Sequence, residues 1–393
     1  MKRLTMAVGL VLAGLIAEAA GQKGDVVVMT QNQYLGADLA PIITAPDASS
    51  FNESVIAALQ SIAANSLPER VEAMAASIAN RQPHLVGLQE VFDIGCIEIA
   101  AGACSLFGPA FNDHLALTMG ALAAQGADYE VAAVVENFVV PFPGFPLPGL
   151  PLFLDLDAIP DAFITVRDRD VILARFGVAT VPVPFICARP SGDGCSFDAA
   201  AGAMTLLGPV EIPRGFVGVD AVVAGDVYRF VNTHLELQFP APDPLAPGIQ
   251  AAQATQLIAT LSAQPPAPGG RILVVGDINS SPGHLLFPDP VLGPFHPPYR
   301  QLTNGTDLFG APISVPYGDV WDLRPGNPSG FTCCELADLS NRPSEGDERI
   351  DVIFASPPPA RVKANVLDED FRKARGVGGW ASDHFGVLAE LSY

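Results

Sequence analysis

Residues 271–282 read Arg271-Ile-Leu-Val-Val-Gly-Asp-Ile-Asn-Ser-Ser-Pro282, an apolar run that ends in polar residues. The β-branched run from Ile272 to Val275 predicts a strand that is buried on both faces. Asp277 and Asn279 follow two residues apart, so in an extended chain their side chains point the same way. Their oxygen atoms suit a hard cation and a water molecule. An ordinary Asp/Asn turn explains this stretch equally well, so other parts of the chain have to decide.

The first twenty residues have the features of a secretory signal peptide. The start is basic, the run from Met6 to Ile16 is apolar, and small residues follow up to Gly21. This run is too short to cross a bilayer, and no later stretch offers an uninterrupted apolar span. We therefore expect residues 1–20 to be removed and residues 21–393 to form one secreted or periplasmic domain.

The composition favours a large folded domain with an acidic surface. Hydrophobic residues make up 49% of the sequence, which is ample for a core, and the formal net charge is −21. Such a surface repels nucleic acids and anionic membranes, so we expect no stable nucleic-acid complex. A phosphate-bearing substrate remains compatible with this charge if a metal ion and a few arginines meet it locally. We expect a monomer.

The cysteines form three close pairs, which are Cys96 with Cys104, Cys187 with Cys195, and the adjacent Cys333 and Cys334. In an exported protein, disulfide bonds are the expected state of such pairs. The first two pairs would close short local loops, whereas adjacent cysteines are sterically awkward partners. A zinc site is disfavoured because no histidine lies near these pairs at ligand spacing.

Apolar runs of different length and periodicity predict many strands and a few helices. The predicted strands are residues 25–30, 85–91, 169–175, 215–223, 228–236, 272–275, 348–354 and 382–391, and the predicted helices are residues 66–82, 112–125 and 249–263. Gly36, Pro41 and Pro46 predict a loop after the first strand. Neither a strict βαβ alternation nor an all-β pattern fits this order. We predict an α/β fold in which two packed mixed or antiparallel sheets carry helices on their outer faces.

The stretch from Val139 to Leu154 combines closely spaced prolines with large apolar side chains. Proline at this density disfavours a helix or a central strand, so we predict an extended or polyproline-like loop. Exposing so many apolar side chains to water would be costly. The loop therefore either packs on the protein's own body or makes a peripheral contact with membrane lipid. A zwitterionic lipid surface suits the acidic chain better than an anionic one.

Polar side chains stand at the ends of six predicted strands. They are Asn32, Glu90, His234, Asp277 with Asn279, Asp351, and Asp383 with His384. Each has an ordinary explanation when taken alone, because a histidine after a strand is more often a hydrogen-bonded surface residue than a catalyst. Strands that all end in metal-binding or proton-handling groups point instead to a catalytic site.

This ordered set of residues resembles the endonuclease/exonuclease/phosphatase superfamily, the fold shared by DNase I, apurinic endonucleases, inositol phosphatases and bacterial sphingomyelinases. The matching motifs, which follow Asn32, are Leu88-Gln-Glu-Val91, Asn232-Thr-His-Leu235, Gly276-Asp-Ile-Asn279, Arg349-Ile-Asp-Val352 and Ser382-Asp-His384. They span almost the whole chain after residue 25. The resemblance implies a four-layered DNase I-like α/β sandwich. It also implies phosphate ester hydrolysis that depends on Mg²⁺ or Mn²⁺, with Ca²⁺ as a further option.

The resemblance implies which residues would bind the metal ion. Glu90 would be the main ligand, assisted by Asn32 and Asp383. Apurinic endonucleases carry an acidic residue two positions after the first Asn, where this chain has Tyr34. The nearest acidic residue is Asp38, which we interpret as a loop residue. We therefore expect a single metal ion.

The resemblance also implies the groups that act on water and phosphate. Asp277 and Asn279 would orient the water and the phosphate. His384, paired with Asp351, would act as a base or as a phosphate contact, and His234 would stabilise the phosphorane or protonate the leaving group. These residue types suit the reaction, because a phosphodiester repels hydroxide and needs both a cation and a positioned base.

The sequence leaves the substrate open between nucleic acid, a sphingomyelin-like phospholipid and a small phosphate ester. Arg167, Arg169, Arg175 and Arg214 are scattered, and we interpret each as a surface salt bridge, although the first two lie near strand ends where one could meet phosphate. The alternative to an enzyme is a catalytically idle sandwich that binds lipid or protein outside the cell. Such a relative should lack at least one of the Glu, the two His or the Asp-x-Asn motif, and all are present.

Overall fold

A computed structural model of the protein describes residues 24–393 except 142–145, 156–158, 207, 239–244, 290, 292, 327 and 369–378. The predicted signal peptide, residues 1–20, and the predicted start of the mature chain lie outside the described residues. Within the described residues, strands form two eight-stranded sheets and one two-stranded sheet.

The strands are, in chain order, β1 (Val26–Asn32), β2 (Leu85–Gln89), β3 (Asp93–Glu98), β4 (Tyr129–Val140), β5 (Leu150–Leu152), β6 (Ala162–Arg175), β7 (Ala179–Pro182), β8 (Arg189–Ser191), β9 (Gly194–Ser196), β10 (Ala201–Thr205), β11 (Gly208–Ile212), β12 (Gly215–Val223), β13 (Asp226–His234), β14 (Arg271–Asp277), β15 (Gly318–Asp319), β16 (Asp351–Ser356), β17 (Arg361–Val366) and β18 (Val387–Ser392). The first sheet has the order β17-β18-β1-β2-β6-β3, with β4 and β5 also paired to β6. The second has the order β15-β16-β14-β13-β12-β9-β8, with β7 also paired to β12. Both sheets are mixed, because β1 runs parallel to β2 and β13 parallel to β14 while other neighbours are antiparallel.

The helices are α1 (Ala40–Ile43), α2 (Ala48–Ala64), α3 (Leu67–Arg81), α4 (His114–Ala124), α5 (Ala246–Ala263), α6 (Pro298–Asn304) and α7 (Val320–Leu323), with a 3₁₀ segment at Cys104–Ala110. Helices α3, α4 and α5 correspond to the three predicted helices. The face of α3 that we expected to be buried, Val71, Met74, Ala75 and Ile78, is buried.

The two large sheets pack face to face, and helices cover their outer faces. The core between the sheets joins apolar side chains of both, such as Val28 and Ile172 from the first sheet and Phe230 and Val275 from the second. Helices α3 and α4 pack on the outer face of the first sheet, and α5 and α6 on that of the second. This arrangement confirms the predicted four-layered α/β sandwich.

Helix α2 lies where we predicted only a loop, and that prediction is wrong. Its buried residues are Phe51, Val55, Ala58, Leu59 and Ile62, whose spacing of 4, 3, 1 and 3 marks one helical face. The carboxylate of Asp47 caps the helix by accepting a hydrogen bond of 2.8 Å from the backbone N–H of Ser50. The prolines on which the loop prediction rested precede this helix and do not interrupt it.

The stretch from Val139 to Leu154 is only partly the loop that we predicted. Its first two residues end β4, and residues 150–152 form the short strand β5. Because β5 pairs with β6 alone, it is not a central strand, as we predicted. Residues 142–145 lie outside the described residues. Leu152 is buried and Leu150 is half-buried against the cluster that contains α2, whereas Leu154 is 37% exposed. The described apolar side chains therefore pack mainly on the protein's own body.

The two predicted local disulfides are present. The Cα atoms of Cys96 and Cys104 lie 5.9 Å apart, and those of Cys187 and Cys195 lie 6.2 Å apart. The sulfur atoms of Cys333 and Cys334 are also joined. Of the helices in the described part of the chain, none combines the length and the apolar character needed to span a membrane.

Gly276, in the strand that precedes the Asp277-x-Asn279 motif, has no room for a side chain. Its φ is +144°, and an added Cβ would collide with the backbone carbonyl of Thr233 in β13. We predict that Gly276→Ala lowers the free energy of unfolding by about 2 kcal/mol or more, because backbone strain and overpacking act together. Denaturant unfolding measures this loss.

Gly120 in α4 provides the matched control for this substitution. An added Cβ there meets no atom within 4 Å. Gly120→Ala should therefore retain or raise stability, by up to about 1 kcal/mol, because alanine favours a helix over glycine. Equal stabilities of the two variants would contradict the role of Gly276.

Candidate active site

Strand register places three polar side chains in one row at the rim of the second sheet. His234 in β13 is level with Asp277 in β14, and Asp277 is level with Asp351 in β16. The parallel strands β13 and β14 both end here, and the antiparallel β16 begins here. All three side chains are buried. Residues that are far apart in the sequence thus become direct neighbours.

His384 reaches this row from the first sheet, three residues before β18. Its Nδ1 lies 2.8 Å from Oδ2 of Asp351, and its Nε2 lies 3.8 Å from Oδ2 of Asp277. Burial alone would lower the pKa of His384, but Asp351, Asp277 and Asp383 outweigh it and raise the pKa well above its usual value. The Ser382 hydroxyl accepts a hydrogen bond from the His384 backbone N–H and donates one to the Asn32 carbonyl, which ties this segment to β1.

Asn32 and Glu90 complete the rim on the first sheet. Glu90 directly follows β2 with a φ of 54°, and its Oε2 accepts a hydrogen bond of 2.9 Å from the backbone N–H of Leu35. The Asn32 side-chain amide donates to Oε1 of Glu90 at 3.1 Å and to Oδ2 of Asp277 at 3.2 Å. Asn32 therefore links a carboxylate of one sheet to a carboxylate of the other.

The carboxylates at this rim fit a hard divalent cation. Burial, together with the negative charge of Asp351, raises the pKa of Asp277 to about 7, and burial with Glu90 does the same for Asp383. Among the described residues, Oδ1 of Asp383 is buried without a hydrogen-bond partner. Grouped oxygen donors of this kind suit Mg²⁺ or Mn²⁺, whose charge offsets theirs. The predicted ligands Glu90, Asn32 and Asp383 all lie at this rim.

Tyr34 stands where apurinic endonucleases carry an acidic residue, and Asp38 is the acidic residue nearest to that position. The Tyr34 side chain is buried, and its hydroxyl donates a hydrogen bond of 2.9 Å to the backbone carbonyl of Ala337. Asp38 is exposed and accepts a hydrogen bond from the backbone N–H of Ala40 at the start of α1. Both residues border the space in front of the rim, but neither is bonded to the Glu90 carboxylate.

The contacts of His234 define its tautomer. Its Nδ1 lies 3.1 Å from Nη1 of Arg214, which can only donate, so Nδ1 accepts and Nε2 carries the proton. The Nε2–H has an acceptor in Oδ2 of Asp277 at 3.4 Å, while the Asn279 amide nitrogen, 3.2 Å from Nε2, donates to the backbone carbonyl of Leu235. Burial and the charge of Arg214 lower the pKa of His234 well below its usual value. His234 is therefore a neutral hydrogen-bond donor at Nε2.

Arg214 belongs to the site, and our interpretation of it as a surface salt bridge is wrong. Its side chain is 15% exposed, and its Nη1 lies 3.7 Å from Oδ2 of Asp168 in addition to its contact with His234. Burial would lower the pKa of Arg214, but Glu236 and Asp168 outweigh this effect and raise it. Arg214 directly precedes β12, whose hairpin with β13 pairs Phe216 with Thr233. This hairpin pairing is the one signal in the sequence that could have placed Arg214 near His234.

The other arginines divide between the surface and the interior. Arg167 forms an exposed pair with Glu136 at 3.3 Å, as we expected. Arg169 is buried instead, and it bonds to Asp113 at 2.5 Å and to the Val91 carbonyl at 3.0 Å. Its role is to hold the segment that follows Glu90.

Comparisons with known proteins agree with this geometry. The model of the Endonuclease/Exonuclease/phosphatase family matches residues 59–384. The comparison with curated proteins yields no match. An endonuclease/exonuclease/phosphatase family protein from Leptotrichia buccalis has a TM-score of 0.48 at 12% identity, covering 94% of this chain and 100% of that one.

Two further solved structures resemble the chain at similar sequence identity and TM-score. The mannosyl-6-phosphatase Bt3783 from Bacteroides thetaiotaomicron has a TM-score of 0.48 at 15% identity, with coverage of 94% and 100%. Truncated TDP2 from Caenorhabditis elegans has a TM-score of 0.45 at 15% identity, with coverage of 94% and 98%.

The family model covers well over half of the chain, so the protein belongs to the endonuclease/exonuclease/phosphatase family. It is accordingly a metal-dependent hydrolase that acts on phosphate ester bonds.

Behind the rim, β6 carries a carboxylate whose titration should be visible in the stability of the protein. Asp170 is fully buried, and neither of its oxygens has a hydrogen-bond partner in the described part of the chain. Burial, reinforced by Asp168, raises the pKa of Asp170 well above 3.8. The unfolded chain therefore loses this proton at lower pH than the folded protein, so the free energy of unfolding falls as pH rises above about 4.

Asp170→Asn removes this titration. We predict that the variant and the wild type differ least near pH 4 and that the variant becomes progressively more stable than the wild type towards neutral pH. The difference should grow by at most about 1.4 kcal/mol per pH unit, the value for one proton. Denaturant unfolding from pH 4 to pH 8 measures it, with exposed Asp198→Asn as the control. Parallel curves for wild type and Asp170→Asn would contradict the prediction.

Proposed function

We propose that the enzyme hydrolyses its phosphate ester by in-line attack of a water molecule that the His384–Asp351 pair and Asp277 activate. The observation that supports this most strongly is the buried row His234–Asp277–Asp351 with His384 against it. These groups supply a proton acceptor and a hydrogen-bond donor within one small space, as a phosphoryl transfer requires.

In this proposal, Asp351 orients His384. Its carboxylate accepts the Nδ1–H of the ring at 2.8 Å, which directs Nε2 towards Asp277. Asp277 is itself oriented by the backbone N–H of Asn279, which donates to its Oδ1 at 2.9 Å. The attacking water gives its proton to the Asp277 carboxylate, and the His384–Asp351 pair holds the adjoining positive charge. Neither group can rotate freely, so the acceptor is in place before the water arrives.

His234 and Asn279 act on the phosphate. The Nε2–H of His234 donates to a phosphate oxygen as negative charge develops on it, and Arg214 holds the tautomer that makes this possible. The depressed pKa of His234 favours this neutral donor over the alternative role of protonating the leaving group. Asn279, fixed by the Leu235 carbonyl, borders the same space.

Glu90, Asn32 and Asp383 hold the metal ion, which we propose to be Mg²⁺ or Mn²⁺. When bound, the ion supplies positive charge to the non-bridging phosphate oxygens. The oxygen-only donor set supports a hard cation over Zn²⁺, because zinc sites in proteins favour nitrogen and sulfur ligands. Ca²⁺ has the same ligand preference and remains a third candidate.

The compartment and the partners belong to the same proposal. The basic and apolar start of the sequence and the local disulfides support a secreted or periplasmic enzyme. The net charge of −21 supports a substrate that is not a long polyanion. The burial of Leu152 favours packing of the 139–154 stretch on the protein itself, and among the described residues of this stretch Leu154 is the exposed large apolar side chain that could contact lipid.

The metal requirement is the first test of this proposal. Hydrolysis of bis(p-nitrophenyl) phosphate should be lost when EDTA is added, because no divalent ion then offsets the charge of the carboxylates and the phosphate. Excess Mg²⁺ or Mn²⁺ should restore it, whereas Zn²⁺ should not. Full activity in the chelator would exclude the proposed mechanism.

The second test removes the oriented histidine. His384→Ala should lower kcat by about 10²-fold or more, the usual effect of losing an acid–base group. His284 is a matched control, because its Nε2 also lies against a carboxylate, 2.9 Å from Oε1 of Glu348, but outside the rim. His284→Ala should keep turnover near that of the wild type. The assigned role of His384 fails if both folded variants have the same kcat.

A further inference from the structure

A large apolar cavity adjoins the rim. Its volume is about 430 Å³, and its polar end is formed by Glu90, His234, Asp277, Asn279, Asp383 and His384. Protein interiors are close-packed, and an apolar cavity of about 150 Å³ is already large enough to bind benzene. The cavity here has the size of a small-molecule site, roughly 300–1,000 Å³. A ligand-sized space therefore begins at the candidate catalytic groups.

Helix α2 forms one wall of this cavity. Phe51, Val55, Ala58 and Leu59 lie on its buried face and border the space, while Ala57 on the opposite face is exposed. An amphipathic helix normally packs its apolar face directly against a neighbouring layer. Here part of that face borders open volume, which is where an apolar ligand would gain contacts.

The two-stranded sheet β10–β11 supplies a second apolar wall. Val210 and Ile212 border the cavity, whereas Glu211 between them is exposed and pairs with Arg189 at 2.7 Å. This alternation gives the hairpin one apolar and one polar face. The hairpin belongs to neither large sheet, so its apolar face serves the cavity and not the sandwich core.

The cavity has room for one hydrocarbon chain. Its volume of about 430 Å³ lies in the lower part of the roughly 300–1,000 Å³ range of small-molecule sites. That volume suits the single chain of an alkyl or prenyl phosphate ester or of a lysophospholipid. The required ligand is thus an amphiphile with its charge at the rim and one apolar chain behind it.

We propose that this cavity binds the single apolar chain of the substrate, so that the enzyme acts on phosphate esters of single-chain amphiphiles. The inference rests on the function proposed above, because it requires the phosphate to lie among His234, Asp277 and His384. The chain then lies within the protein, between α2 and the β10–β11 hairpin.

A series of p-nitrophenyl n-alkyl phosphates with chains of one, four, eight and twelve carbons tests this inference, each below its micelle-forming concentration. We expect kcat/KM to rise roughly two- to fourfold per added methylene over the shorter chains, because each buried methylene adds apolar contact. The methyl ester reports on the proposed function alone, since it has no chain to bind.

Ala58→Trp fills the cavity from α2, and Ala57→Trp places the same side chain on the exposed face one residue away. Ala58→Trp should remove most of the chain-length gain and leave the methyl ester rate unchanged, while Ala57→Trp should behave as wild type. Ala58→Met is a milder filling substitution that should reduce the gain partially, and it replaces the tryptophan variant if that variant does not fold.

The outcomes separate this inference from the function on which it rests. Loss of the chain-length gain in the Ala58 variants alone supports the cavity as the chain site. A methyl ester rate with no chain-length effect in the wild type overturns the inference and leaves the proposed function intact. A gain that persists in a folded Ala58→Trp variant also overturns it, because the chain then binds elsewhere. Absence of metal-dependent turnover with every ester would reject the proposed function itself.

Discussion

The register of three neighbouring strands is the constraint on which the candidate site depends. β13, β14 and β16 align His234, Asp277 and Asp351 by backbone hydrogen bonds, so no side-chain contact is needed to bring them together. A shift by one residue in any of these strands would turn the side chain to the other face of the sheet. Gly276 protects this register, because only glycine allows β14 to pass so close to the backbone of β13.

Negative charge accumulates where several carboxylates lie together at one buried rim. The cations that offset it are themselves buried, and each is held by several partners. Arg70 donates to the backbone carbonyls of Asn65, Gln33, Tyr34 and Ala381, and so fixes both the segment after β1 and the one before Asp383. Arg214 balances Asp168 and Glu236 on the opposite side. Burial and the neighbouring carboxylates together raise the pKa values of Asp277 and Asp383, and the charge of a divalent ion is suited to offset both effects.

Sequence patterns identified the parts of the fold that obey local rules. Strands buried on both faces appear as continuous apolar runs, and the polar residues beside them could be grouped because all of them are metal-binding or proton-handling groups. Helix α2 was missed because Gly36 and two prolines suggested a loop, although Asp47 and the spacing from Phe51 to Ile62 carried a helix signal. Arg214 and Arg169 were missed for a different reason. Whether an arginine is buried depends on tertiary partners that come from distant strands, and local composition does not encode them.

Helix α2, which the sequence analysis did not predict, lines the cavity that we propose to bind the apolar part of the substrate. The groups that we propose to act on water, metal and phosphate stand on strand ends of the sandwich, where backbone hydrogen bonds hold them. Part of the cavity wall is formed by strands β3, β4 and β6 of the first sheet, and the rest comes from α1, α2 and the β10–β11 hairpin, which lie outside the two large sheets. Such connecting segments tolerate change more easily than the core does. A phosphoesterase of this architecture can therefore alter the apolar part of its substrate by repacking α2 and the hairpin, while the register that aligns His234, Asp277 and Asp351 stays unchanged.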